Sequence, residues 1–147
     1  DHYRLVIAGN GELGKTVDEA ASWDRRVRRL PFQNQSRMPA LYRLGDVFIL
    51  PSRGPGETWG LVVNEAMACG RAVLVSDKVG SAPDLVEQGR NGYIFKAGDP
   101  HDLGDKMGLF KNKGLTTKFG EESLKIILEW NFERLTNSIE SIFATRV

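Results

Sequence analysis

Two glutamates stand eight residues apart on either side of a glycine-rich stretch that leads into an apolar helix. Glu57 lies in the loop, and Glu65 lies about one turn inside the predicted helix. The amides of Gly60, Leu61 and Val62 would be the unpaired N–H groups of this helix start, where a diphosphate can bind. Glu65 could then accept hydrogen bonds from two ribose hydroxyls, and Glu57 from hydroxyls of a sugar beyond the phosphates. The spacing therefore predicts a site for a sugar nucleotide.

Each of these acids also has a simpler explanation. Glu57 is equally well read as a loop acid that favours a helix N-terminus, an effect worth less than about 1 kcal/mol. That explanation is weaker for Glu65, because residues 61–69 are apolar or small nearly all round. Such a run predicts a buried helix, in which a carboxylate requires a partner or a ligand. Trp59 stands beside the phosphate-binding amides and could line the donor pocket.

A second glycine-rich stretch, residues 9–16, offers a different chemistry. It matches both the G-x-G-x-x-G pattern and the G-x-x-x-x-G-K-[ST] phosphate loop. The dinucleotide version needs an acid at the end of the next strand, which instead ends at 32–34 in Phe-Gln-Asn, so NAD binding is disfavoured. In a nucleoside triphosphatase or kinase, Lys15 would bind phosphate, Thr16 would bind magnesium, and Asp77 could be a second metal-site acid. Alternatively, the glycines only turn the chain and Lys15 is solvated.

Composition limits the remaining classes. The chain has 147 residues, 41% of them hydrophobic and 27% charged, and a formal net charge of +1, so no overall field favours nucleic acid. The one cysteine, Cys69, cannot form an internal disulfide, which fits a reducing cytosol. The sequence starts Asp-His-Tyr without a methionine and enters a strand at once, so it looks like an excised piece. His2 and His101 lie far apart beside turn residues, and no metal-ligand cluster is apparent.

Hydrophobic period and turn residues predict alternating strands and helices, which is typical of a parallel sheet. We expect Ser36 to cap the second helix and Asp99 to cap the fifth. Trp23 and Trp130 are expected to pack against helix ends. The sequence predicts one α/β unit over residues 1–147, with a short buried strand at 3–8 and further strands at 27–32, 46–50, 72–76 and 92–96. The predicted helices are at 12–23, 36–44, 61–69, 81–88, 99–111, 117–130 and 131–145.

Together these features resemble a known family, the C-terminal nucleotide-binding domain of retaining glycosyltransferases of the group 1 (family 4) type, with the GT-B fold. Glu57 and Glu65 match its E-x7-E pair, and the resemblance covers nearly the whole chain. The other matching stretches are 5–11 (LVIAGNG), 38–52, ending in Pro-Ser, 60–70 (GLVVNEAMACG), 91–93 (NGY) and 98–100 (GDP).

The resemblance implies two Rossmann-like domains that face each other across a cleft, of which this chain is the C-terminal one without its first strand. The full-length enzyme would transfer a sugar from a UDP- or GDP-linked donor with retention of configuration. Glu57 would be the catalytic residue and would contact the donor sugar, and Glu65 would bind the ribose. A front-face mechanism, in which the leaving diphosphate helps deprotonate the acceptor, requires no covalent nucleophile, cofactor or metal.

The resemblance also implies partners and a location. A carbohydrate or lipid-linked acceptor would be gripped by the absent N-terminal domain, so this chain alone is expected to be inactive. The protein is expected to be cytoplasmic, with peripheral membrane contact at the inner face and no nucleic-acid partner. The four arginines of 25–29 could touch an acceptor phosphate or a membrane, although a solvated edge is the simpler explanation.

Three features depart from the family pattern. The phosphate-neutralising Arg and Lys of the family lie upstream of this chain's start. The loop from Ser52 to Glu57 is longer than in many relatives, and residues 80–84 (GSAPD) replace the usual Gly-Gly and Pro-Glu. Arg53, Lys78 and Lys15 could approach the cleft or remain solvated. The segment 130–143 resembles the family's closing helix, which we expect to be poorly anchored here.

Overall fold

The computed structural model describes residues 3–144, so His2 and the predicted helix end at position 145 lie outside the described residues. Short 3-10 turns lie at Gln35–Arg37 and Leu109–Lys111. The elements are β1 Leu5–Ala8, α1 Gly14–Trp23, β2 Val27–Leu30, α2 Met38–Leu44, β3 Val47–Leu50, α3 Leu61–Ala68, β4 Ala72–Ser76, α4 Ala82–Leu85, β5 Gly92–Phe95, α5 Pro100–Gly108, α6 Lys113–Glu129 and α7 Phe132–Ala144.

All the strands pair in parallel, which confirms the predicted α/β class. β1 pairs with β2 in one sheet, and a second sheet has the order β3-β4-β5. The chain divides into two compact units, residues 1–45 and 46–147, which are described separately below. The expectation of one ligand-binding domain over 1–147 stays a prediction.

In the first unit, α1 and β2 are joined by an ion pair. Both nitrogens of the Arg29 fork, Nε and Nη2, donate to the Asp18 carboxylate, at 2.6 and 2.7 Å. Two predictions are wrong here. β1 is not buried, since Leu5 is 42% and Val6 39% exposed. Trp23 does not pack at a helix end but is 85% exposed.

The entry into α2 also differs from the prediction. Ser36 does not cap it, because the hydroxyl donates to Asn34 Oδ1 at 2.8 Å and the backbone first makes a 3-10 turn. The α-helix then starts at Met38, with Pro39 in its first turn, where proline is tolerated. A local side-chain bond has thus replaced the expected cap.

The core of the second unit is built around β4, whose five residues are all fully buried. Successive side chains of a strand point to opposite faces, so β4 contributes to two clusters. Val73 and Val75 pack with residues of α3 and α6, and Ala72 and Leu74 pack with three phenylalanines. Helices therefore cover both faces of this sheet, as a parallel sheet requires.

Two helix starts show the effect of single side chains. Asp99 caps α5 as predicted, accepting from the amides of His101 and Asp102. α6 begins at 113, earlier than the predicted 117, because Asn112 accepts from the amide of Gly114 at 2.9 Å.

The predicted helix 81–88 is shortened to α4. Asn91 causes this, since its amide group donates to the Leu85 carbonyl at 2.9 Å and its oxygen accepts from Glu87 N at 2.8 Å. The side chain takes over backbone groups that further helical turns would have used.

Candidate functional site

The loop between β3 and α3 carries the first predicted acid and lies at the carboxyl end of the second sheet. Ser76, the last residue of β4, donates its hydroxyl to the Ser52 carbonyl at 2.5 Å. The Ser52 hydroxyl in turn donates to Glu57 Oε2 at 3.2 Å. Ser52 therefore ties Glu57 to the edge of the sheet where open α/β folds bind ligands. This role of Ser52 was not predicted from the sequence.

Gly60 forms the entry to α3, and only glycine fits there. Its φ of +86° lies in the left-handed region, and an added Cβ would come within 2.8 Å of Val79 Cγ1 and 3.3 Å of Leu50 Cδ2. The Val63 amide donates to the Gly60 carbonyl at 2.8 Å. The amides of Gly60, Leu61 and Val62 precede that bond, at the positions where a helix start leaves its donors without intrahelical partners.

Glu65 lies one turn into α3 and is half-buried. The prediction that this helix is buried all round is wrong: Leu61 is 70% exposed, whereas Val63, Ala66 and Met67 are fully buried. The reason is that α3 covers one face of the sheet and leaves its other side open. Glu65 thus lies between the packed and the open side of the helix.

Trp59 is held on three sides. Its indole Nε1–H donates to Asn64 Oδ1 at 3.0 Å, and its carbonyl accepts from the amide of Ser81 at 2.9 Å. Its ring lies 5.8 Å from the ring of Trp130, tilted by 51°. Trp130 therefore packs against the candidate site rather than at a helix end alone, and Trp59 is half-buried.

Asn64 is a site residue that the sequence analysis missed. Trp59 precedes the helix N-cap and Asn64 is the fourth helical residue, which is the spacing of the hydrophobic staple that fixes a helix's entry angle. Here an indole hydrogen bond replaces the usual apolar contact. The five-residue offset around Gly60 was the signal that could have identified it.

The departure at residues 80–84 has a steric explanation. A Cβ on Gly80 would overlap the carbonyl oxygen of Thr58, so the segment after β4 contacts the loop that carries Glu57 backbone to backbone. Ser81, which follows, is fully buried. A side chain is therefore accommodated at 81 but not at 80.

Two cations flank the same loop. The stem of Lys78 runs 3.7–3.9 Å from the position that a Cβ on Gly54 would occupy, and Lys78 and Arg53 are both exposed. Lys78 thus lies beside the loop that carries Glu57, and its approach to the site stays a prediction.

The other glycine-rich stretch is occupied by a side chain of its own unit. Arg29 donates from Nη1 to the Gly9 carbonyl at 3.3 Å, and the same atom would lie 3.1 Å from a Cβ on Gly14. The hydrogen bond from Arg29 also lowers the pKa of Asp18 below its usual value. Lys15 is exposed on α1. This turn is thus supported by an arginine whose charge is paired.

No helix within residues 3–144 has the length and apolar character needed to cross a bilayer.

Comparison with known proteins gives a consistent result. The family model described as "Glycosyl transferases group 1" matches residues 1–110. N-acetyl-alpha-D-glucosaminyl L-malate synthase of Bacillus anthracis is 30% identical over 143 residues, which are 95% of this chain and 37% of that protein. The chain thus spans little more than a third of this relative's length. The comparisons give no support to the phosphate-loop alternative.

Solved structures show the same fold. Anabaena HepE in complex with UDP matches with a TM-score of 0.76 at 22% identity, over 97% of this chain and 41% of that one. HepE has also been solved with UDP-glucose. The C-terminal domain of a group 1 family glycosyl transferase from Francisella tularensis matches with a TM-score of 0.65 at 26% identity, over 80% of this chain and 59% of that one.

Proposed function

The chain belongs to the group 1 glycosyl transferases, and from this premise we propose that it is the donor-binding domain of an enzyme that transfers a sugar from a nucleoside diphosphate sugar with retention of configuration. The observation that carries the proposal is the start of α3. There, a glycine with a left-handed backbone precedes the first amides of the helix, and Ser52 holds Glu57 in the preceding loop at the carboxyl edge of the sheet.

We assign one role to each part of this site. The amides of Gly60, Leu61 and Val62 bind the diphosphate, because a helix start attracts negative charge. Glu65 accepts hydrogen bonds from the two ribose hydroxyls, and Glu57 accepts them from the donor sugar. Both carboxylates then bind neutral alcohols while the amides bind the anion.

The reaction follows from these roles. As the glycosidic bond breaks, charge develops on the leaving diphosphate, and the amides at the start of α3 stabilise it more in the transition state than in the ground state. The leaving oxygen takes the proton of the acceptor hydroxyl, which attacks from the same face. This path needs no enzyme nucleophile, which explains why we assign none.

The donor and location are part of the proposal. HepE has been solved with UDP and with UDP-glucose, which supports a UDP sugar as the first donor to test and a GDP sugar as the second. The acceptor is a carbohydrate or a lipid-linked sugar bound mainly by the part of the protein outside this chain. We place the enzyme in the cytoplasm, with peripheral contact to the inner membrane face.

Two substitutions test the roles in the intact protein by calorimetric titration. We expect Glu65→Gln to weaken binding of UDP itself by about tenfold or more, because it removes a charged acceptor from the ribose. We expect Glu57→Gln to leave UDP binding unchanged but to weaken binding of the UDP sugar and reduce transfer. Glu121→Gln on the exposed side of α6 is the matched control.

The phosphate-loop alternative predicts the opposite pattern. Under our proposal, Lys15→Ala leaves donor binding as in the wild type. Loss of nucleotide binding in this variant, together with normal binding in Glu65→Gln, would replace our assignment with the triphosphatase one.

The isolated 147-residue chain provides a further test. We expect it to bind a nucleotide sugar more weakly than about 1 µM and to transfer none, since the acceptor site and the expected phosphate-binding cations lie elsewhere. Measurable transfer by the purified chain would contradict this expectation.

A further inference from the structure

Trp130 lies at the turn between α6 and α7, 70 residues beyond the loop it contacts. We propose that Trp130, with Arg134 stacked on it, is a positioning residue that sets the geometry of the donor-binding amides through Trp59. This inference depends on the proposed function, because it concerns the same amides.

The contact between the two indoles is a specific one. Their ring centres lie 5.8 Å apart, within the range of favourable aromatic pairs, and the 51° tilt avoids a face-to-face stack. Trp130 is 37% exposed. The guanidinium carbon of Arg134 lies 4.8 Å from the centre of that ring, in a cation–π contact.

Arg134 is itself fixed by the start of α7. Asn131 Oδ1 accepts a hydrogen bond from the Arg134 amide at 2.9 Å, which caps the helix and sets the direction in which the arginine leaves it. A chain of contacts therefore runs from the cap of α7 through Arg134 and Trp130 to Trp59.

Trp59 connects the Trp130 contact to the candidate ligand site. It is bound to Asn64 through its indole N–H, to Ser81 through its carbonyl and to Trp130 through its ring. The next residue is Gly60, whose left-handed backbone has no side chain to restrict it. Trp59 is thus the residue through which the Trp130 contact acts on the orientation of the amides at 60–62.

The consequence is a loss of preorganisation when Trp130 is removed. Without the second ring, the Trp59 indole can rotate away from Asn64, and the three amides must be ordered when the diphosphate binds. Such a change weakens donor binding without altering the acceptor site or any group that touches the sugar.

The test uses three variants of the intact protein. We expect Trp130→Ala to raise the KM for the donor and the dissociation constant for UDP about tenfold, with the acceptor KM unchanged. Trp130→Phe keeps an aromatic ring and should stay within about threefold of wild type. Trp23→Ala, which alters an exposed tryptophan of the other unit, is the matched control and should behave as wild type.

A ligand-free measurement separates this inference from the proposed function. The Trp59 indole N–H gives a distinct NMR signal, and its hydrogen exchange should accelerate in Trp130→Ala but not in Trp23→Ala. Arg134→Gln should accelerate it less.

The outcomes are distinguishable. If Trp130→Ala keeps both the wild-type indole signal and the wild-type donor KM, the positioning role is refuted. If the indole signal changes while the wild-type protein binds no nucleoside diphosphate or its sugar, the contact chain stands and the proposed function fails. If Trp130→Ala unfolds, Arg134→Gln decides by the same two readouts, and unchanged values there refute the proposal.

Discussion

Both the backbone conformation and the packing at position 60 disfavour any residue other than glycine. The left-handed backbone of Gly60 disfavours any side chain, and a methyl group there would press on Val79. We expect Gly60→Ala to lower the free energy of unfolding by about 2–4 kcal/mol, from backbone strain and overpacking together. Urea denaturation measures the difference. Gly56→Ala is the control, since nothing lies within 4 Å of its Cβ position, and an equal effect of both changes would contradict the explanation.

Some residues of the candidate site could be predicted from the sequence and others could not. Glu57, Glu65 and Gly60 were predicted because their types and spacing suffice to indicate a helix start beside two acids. Ser52 and Asn64 were missed because their roles depend on a side-chain bond to a neighbour within the loop or across the helix start. Those bonds exist only once the chain has folded, although the offset around Gly60 was visible.

At the scale of the elements, helix caps decide several boundaries. Asn112 starts α6 four residues earlier than hydrophobic period indicated, by accepting from the Gly114 amide. We expect Asn112→Ala to destabilise the protein by about 1 kcal/mol, since a helix donor loses its acceptor. Asn112→Ser keeps an acceptor oxygen and should cost much less. Equal midpoints of chemical denaturation for the wild type and Asn112→Ala would show that the cap contributes nothing.

Acid should weaken the first unit through its ion pairs. Hydrogen bonds from the Arg26 side chain and amide lower the pKa of Asp24 from 3.8 to about 2. Because the folded pKa is the lower one, the stabilisation is present above the unfolded pKa and is lost as the pH falls towards 2. An NMR titration of the carboxyl carbon should place the Asp24 midpoint near 2. A midpoint at the unfolded value would show that the pair does not form.

Asp24→Asn supplies the matched control for that titration. It removes the ionisable group, so its stability should fall less than that of the wild type between about pH 6 and about pH 2. Identical losses in the two proteins would assign the acid sensitivity to other groups.

Element types were predictable where composition and period agree. Both ends of β4 were predicted correctly, because a run of five apolar or small residues between a glycine turn and an acid is typical of a short buried strand. α4 was not, because Asn91, which ends it, lies six residues beyond its last residue. The side chain that ends an element can thus lie outside the window in which its pattern is read.

At the scale of the whole chain, burial is unequal between the two units. β4 is fully buried, whereas Leu5 and Val6 of β1 are 42% and 39% exposed. Local opening costs least where few apolar contacts are lost. We expect the paired amides of β4 to exchange with deuterium at least about tenfold more slowly than those of β1 in native-state hydrogen exchange. Uniform protection across both sheets would contradict this view.

The parallel α/β class was predictable because strands and helices alternate along the chain. The division into sheets of two and three strands was not, because alternation does not state which strands become neighbours. The family could be recognised from motifs such as the spacing of Glu57 and Glu65, because an α/β fold alone does not require such a spacing.

At the proposed sugar-nucleotide site, the contact of Gly80 with the Thr58 carbonyl limits which positions can be varied. A combinatorial library over the segment after β4 should hold position 80 constant, because every other amino acid would push the opposite backbone away. Lys78, Pro83 and Asp84 are exposed and tolerate randomisation on steric grounds. Screening those three positions would explore new sugar selectivity while most clones in the library still fold.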